Sequence, residues 1–423
     1  MHSNIKNAVA DTRRHSIIRR SGGVTVAFVA GHLCKYGLFW GANRILDSGR
    51  FGVFFTAAVL INIAMAPATA VLFVLARRLA EISNQFGAEK TLTITSALLR
   101  RSTWTIPLAL LIGAFCSIIC SRIGIEAWDI AFILPITILV LTVTEILRTT
   151  FQSTMRFRSA GTLSVLSSIL QCSFGLAGLI IFDRVWAGVL GICVGAALAN
   201  APWLLYLPSD PAQTSPVSQE GLYGRSDLWV TLSYCLYVTL NNIDVVLGYF
   251  LLSKEELDIY AASAMLPKAV VTMTFAIVQV MIPVISEQRS RNLSARFSAL
   301  KGLALTTLIA LVAGGLLAAG APFMQVTPLA ITSLNFAVLD ILAVGAAALS
   351  VLRGMVVLDM AFRRGRMAFV QFFGILILIF VAFLLRPSID QLAAIYSSTV
   401  VGCFLMATVL SVKWYARGAT HQA

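Results

Sequence analysis

The sequence predicts an all-α, polytopic membrane protein of about 12 transmembrane helices arranged as two six-helix lobes. Three observations carry that prediction: an excess of apolar residues, their grouping into blocks of bilayer length, and an alternation of Lys and Arg between successive connections. Of 423 residues, 58% are hydrophobic and only 12% charged, against about 45–50% and about 25% in soluble domains. Mean hydropathy is +0.86. One globular core cannot absorb that excess. The apolar blocks run to about 20 residues or more, the length a helix rising about 1.5 Å per residue needs to cross the hydrocarbon layer. The period-2 alternation of an outer-membrane barrel is missing from them. Helices, which satisfy their own backbone groups, are the remaining solution.

Taken in order, residues 1–21 hold Lys6, Arg13, Arg14, Arg19 and Arg20 beside Asp11 and run into a long apolar block with no small-residue cleavage site. They read as a retained tail, not a signal peptide. Spans are predicted over 22–44, 51–76, 102–121, 129–150, 160–182, 186–207, 228–252, 259–285, 302–320, 333–361, 367–385 and 390–412. Pro67, Pro107, Pro135, Pro202, Pro267 and Pro283 fall inside spans, where each removes a backbone hydrogen bond and kinks the helix, a device that transporters use. The longest connections are 77–101 and 208–227. The second carries PSDPAQTSPVSQ and reads as a linker between an N-terminal lobe, 22–207, and a C-terminal lobe, 228–412, followed by a tail at 413–423.

Net charge is +13, which in a soluble protein raises nucleic-acid binding. Topology accounts for it here. Counting Lys and Arg on alternate sides of the spans places 23 on one side and 6 on the other, with Lys35, Lys268 and Arg353 inside spans. The positive-inside rule then puts both termini in the cytoplasm of a bacterial inner membrane and favours an even number of helices.

Internal repetition is faint. ILDSGRFGVFFTAAV, after the first span, is matched by LLSKEELDIYAASAM, after the seventh; each is a short periplasmic turn entering an aromatic-containing helix. Two parallel repeats of six helices are expected from it. GRFGVFFTAAVLINIAMAPATAVLFVLARRLAE (Gly49–Glu81) and TLNNIDVVLGYFLLSKEELDIYAASAMLPK (Thr239–Lys268) resemble the Wzx-like O-antigen and polysaccharide flippases of the multidrug/oligosaccharidyl-lipid/polysaccharide (MOP) exporter superfamily. That resemblance implies a MATE-like pair of lobes in a V around a central cavity lined by the first, second, seventh and eighth helices. It also implies a substrate, an undecaprenyl-diphosphate-linked oligosaccharide turned over by alternating access for polysaccharide or O-antigen biosynthesis. Membrane lipids, and other polysaccharide-assembly proteins, are the partners it implies.

Ionisable residues at bilayer depth cost about 2.5–3.5 kcal/mol each on insertion scales and face a partner or a wet cavity. His32 and Lys35 share a face of the first span, Asn241 and Asp244 a face of the seventh with Asn242 beside them, and Lys268 follows Pro267 in the eighth. In the functional reading Lys35 and Lys268 form a cationic pocket for a lipid diphosphate, Asn62, Asn241 and Asn242 hydrogen-bond sugar hydroxyls, and Arg353 extends the anion path. The alternative for the lysines is structural: an interlobe salt bridge from Lys35 or Lys268 to Asp244. His32 is either a packing residue or a proton-coupling group, and Asp244 is the better candidate for a coupling H+ or Na+. Glu145 and Arg148, three apart, are expected to neutralise each other.

Other classes fit less well. A small-solute, ion-coupled exporter of the same superfamily calls for a cavity rich in acids to attract organic cations, whereas bases are as prominent here as Asp244. A membrane enzyme needs a loop to carry acid/base groups, and every periplasmic connection is about a dozen residues or shorter. The 77–90 segment RRLAEISNQFGAEK lacks the signature of major-facilitator transporters. The seven cysteines all lie in apolar blocks; Cys116 and Cys120 sit four apart without a His or acid for a metal, and no cofactor is expected. No GxxxxGK[ST] motif is present, so ATP hydrolysis by that route is excluded.

Overall fold

The computed structural model describes residues 26–86, 95, 127–154, 156–205, 225–290, 295–324, 334–361 and 365–419. Among them the chain forms helices and no strands. The helices are α1 (26–45), α2 (Phe51–Phe86), α3 (Ala127–Ser153), α4 (Phe157–Phe182), α5 (Val185–Leu204), α6 (Arg225–Leu251), α7 (Lys254–Ser290), α8 (Ala295–Met324), α9 (Phe336–Ala361), α10 (Met367–Leu385) and α11 (Ile389–Ala419). Each meets one predicted span. The span at 102–121, the 1–21 tail and the linker up to residue 224 lie outside the described residues. Nine of the described helices are long and apolar enough to cross a membrane, and the protein is a multi-pass membrane protein.

Several helices outrun the apolar blocks that announce them. α2 continues to Phe86, α8 begins at Ala295 and α11 reaches Ala419. Hydropathy marks only the hydrocarbon depth, while the backbone ladder continues into polar surroundings as long as no Gly or Pro stops it.

α4 and α5 form the tightest hairpin: at Gly178, Gly191 and Gly195 an added Cβ would strike the facing backbone at Ala187, Phe174 and Leu170. Small residues let helix backbones touch where lipid offers no hydrophobic driving force. α1 lies on α4, with Gly31 against Ser164 and Ser168 and Gly41 against Leu176. α3 packs on α2, α4 and α5; α7 and α9 pack together and against α8, and α11 packs on α9 and α10. α2 crosses between these groups by packing on α6 and α7. One continuous apolar core runs from Leu38 to Ala407. Outside it, Phe369, Phe372, Phe373, Phe380 and Phe383 of α10 are exposed, an apolar face suited to lipid. Hydroxyls at Thr137, Thr142, Thr144 and Thr150 donate to the carbonyl four residues back, so none is stranded in an apolar medium.

Candidate functional site

The turn between α6 and α7 sets the first polar centre. Ser253 and Glu256 make a reciprocal capping box: the Ser253 N–H donates to Glu256 Oε2 at 2.9 Å and the Glu256 N–H to Ser253 Oγ at 3.3 Å. This starts α7 immediately after α6 ends and folds the two helices into a hairpin. Residues at similar distances from the turn then face each other, and Tyr260 donates its hydroxyl to Asp244 Oδ2 at 3.2 Å. Lys268 lies two turns further along α7, but helical side chains lean toward the N-terminus. Its ammonium reaches back to Asp244 Oδ1 at 2.9 Å and to the Asn241 carbonyl. From α11, the Tyr396 hydroxyl donates to the same carbonyl at 3.4 Å, and its ring centroid lies 5.6 Å from the ammonium.

Asp244 is only 1% exposed at its side chain. Both of its oxygens are engaged. A narrow cleft, lined by Asn241, Asp244, Pro267, Lys268 and Tyr396 among others, opens beside the pair; its enclosed space of about 10 Å³ is no larger than a water molecule needs. The Asn241 amide oxygen is buried there without a hydrogen-bond partner.

The ion pair joins neighbouring helices α6 and α7. The interlobe bridge of the structural alternative is therefore replaced by a bridge within one hairpin, because the short turn brings residues 244 and 268 together first. Lys268 is engaged by an acid.

A second group is built by α1, α3 and α9. Lys35 on α1 is partly exposed and, among the described residues, makes no ion pair or hydrogen bond. It lies within electrostatic reach of His32, Glu145 and Arg148, and His32 within reach of Arg148 and Arg353 as well. Arg148 and Glu145 pair as expected, and the Arg148 guanidinium rests 5.4 Å from the Phe28 ring centroid. Arg353 is buried. It donates to the Val271 carbonyl at 3.3 Å, lies within electrostatic reach of the Tyr234 side chain, and is 5.4 Å from the Tyr237 ring centroid. Among the described residues, basic side chains outnumber acidic ones in this group: Lys35, Arg148 and Arg353 against Glu145. The two groups are tied together where the Tyr36 hydroxyl of α1 meets Thr272 of α7 at 3.0 Å.

The remaining expected residues divide. Asn241 lines the cleft; Asn242 is buried and donates to the Val238 carbonyl of its own helix at 2.8 Å; Asn62 is exposed on α2. Sequence reasoning missed Tyr234, Tyr260 and Tyr396 as polar partners, and the place of Arg148 in the cationic group. The tyrosines carry a legible signal, since a phenol inside an apolar block needs a hydrogen-bond partner.

No protein-family profile matches the chain, and no curated protein does either. Solved structures do. The eukaryotic MATE transporter AtDTX14 superposes with a TM-score of 0.70 at 15% identity, covering 96% of this chain and 99% of that one. An outward-facing multidrug resistance MATE family transporter of the MOP superfamily gives 0.62 at 15% identity, with 96% of each chain covered. A MOP superfamily transporter from Pyrococcus furiosus, whose binding pocket is described as having reverse polarity suggestive of a different function, gives 0.64 at 15% identity with 96% of each chain covered. The chain therefore has the all-helical fold of the MATE transporters of the MOP superfamily.

Proposed function

We propose that the protein is a MOP-type transporter that flips an undecaprenyl-diphosphate-linked oligosaccharide across the bacterial inner membrane by alternating access. In this reading residues 22–207 and 228–412 are the two lobes, joined by 208–227, with both termini in the cytoplasm. The observation that carries it is the predominance of bases in the group around His32 and Lys35: among the described residues, Lys35, Arg148 and Arg353 stand there against Glu145, which favours an anionic headgroup and disfavours an organic cation. Charges are far more strongly felt in such a setting than in water. Reverse polarity of a pocket on this fold has been connected with altered function in the Pyrococcus furiosus transporter. A coupling H+ or Na+ would enter at Asp244, where it has to displace Lys268.

The second reading, an ion-coupled exporter of small organic solutes, is favoured by the fold, which is that of multidrug transporters. One experiment separates the two. In cells dependent on this protein for glycan export, Lys35→Ala and Arg353→Ala should each cut export while Lys35→Ala leaves the amount of protein in the membrane unchanged. Full export by both variants would refute the cationic mechanism; export of an organic cation dye that is abolished by neither variant would favour the second reading.

A further inference from the structure

The N-terminus of α2 has an unusual cap. The first backbone N–H groups of a helix need outside acceptors; just before α2 the nearest carboxylate is Asp47, whose side chain is 78% exposed and lies 4.0 Å from the Arg50 guanidinium. The acceptor comes from more than 200 residues away. Asp258, 6% exposed in the second turn of α7, takes the Gly52 N–H at 2.6 Å on Oδ1 and the Gly49 N–H on Oδ2. α2 and α7 thus meet through their positive N-terminal ends, an arrangement that a carboxylate between them makes favourable.

The fit depends on two glycines. Gly49 has φ +87°, a left-handed conformation, and an added Cβ would lie 3.2 Å from Lys254 Cβ; at Gly52 it would lie 2.6 Å from Leu257 Cγ. These contacts lie in the repeated segments. Superposing ILDSGRFGVFFTAAV (45–59) on LLSKEELDIYAASAM (251–265) puts Gly52 opposite Asp258. A residue and its counterpart in the repeat can touch only near the axis relating the two halves, so parting the halves at this end separates those two positions.

We propose that Asp258 is a latch: by capping α2 from the opposite half it holds this end of the molecule shut, and its two bonds break each time the halves separate here. The proposal rests on the alternating-access part of the function above and on no particular solute. It is tested by distance and not by transport, so its failure is distinguishable from failure of the flippase reading. Ser48 and Glu255 are exposed on the two sides of the contact. Spin labels at Ser48→Cys and Glu255→Cys, in the full chain with its native cysteines replaced and reconstituted in nanodiscs, should show strong dipolar broadening. Asp258→Ala should remove most of that broadening, and Asp258→Asn, which keeps size and one acceptor oxygen, should remove part of it. Gly52→Ala, which leaves the carboxylate but intrudes on Leu257, reads the same motion if Asp258→Ala fails to accumulate. Unchanged broadening in Asp258→Asn and in whichever of the other two variants folds would overturn the latch.

Discussion

The Asp244–Lys268 pair makes a quantitative prediction. With Asp244 1% exposed and both oxygens bonded, Lys268→Met leaves a carboxylate in an apolar interior with only Tyr260 as a donor. Removing one partner of a buried pair costs about 3–5 kcal/mol. Asp244→Asn costs less, about 2 kcal/mol, because the ammonium keeps the Asn241 carbonyl and the Tyr396 ring and opens onto the cleft. The double variant has no isolated charge, and its amide still accepts from Tyr260. Its loss should be smaller than that of Lys268→Met alone, giving a coupling of about 2–3 kcal/mol. Thermal unfolding followed by tryptophan fluorescence, on protein purified in one detergent, should put Lys268→Met about 3–6 °C below the parent, with the double variant recovering part of that. If the two single losses simply add, the pair is not coupled and the account of this centre is wrong.

Two further predictions concern the frame, and join the complementation and spin-label tests given above. Gly191→Leu drives a side chain into the Phe174 backbone and should sharply reduce the amount of folded protein, whereas Gly315→Leu, where a Cβ meets nothing within 4 Å, should leave it unchanged on size-exclusion chromatography. At the α6–α7 turn, the Ser253 N–H and hydroxyl hold the Glu256 carboxyl below its usual range. A depressed acid contributes stability above its unfolded pKa and loses it as pH falls through the folded value. The stability gap between parent and Glu256→Gln, about 0.5 kcal/mol for an exposed cap, should hold from pH 8 to pH 5 and close below about pH 4; a gap that closes near neutrality would contradict this.

The spans are legible in the sequence because each apolar block must bury its backbone polar groups within itself, and that constraint acts residue by residue. The ends of α2 and α11 are less so, since the helix persists where hydropathy has faded. Lys35, Asp244 and Lys268 stand out as charges inside apolar blocks, yet which of them pair depends on a turn of two residues and on how far a lysine leans along its helix. Only packing reveals that Asp244 takes Lys268 and not Lys35. Asp258 is harder still to see: it lies among Glu255, Glu256 and Lys254 at a helix start, where acids are ordinary, and the helix it caps is not its own.

The pairing of Asp244 with Lys268 also bears on how a voltage acts on the molecule. The two form one neutral unit, so an electric field across the membrane exerts no net force on them. The group around Lys35 is different. Each net charge there experiences about 2.3 kcal/mol for every 100 mV it traverses in full, and an interior-negative potential draws a positive one toward the cytoplasm. An anionic headgroup bound at the same place would oppose that pull. Under the proposed flippase function, the loaded protein would therefore feel the field less than the empty one.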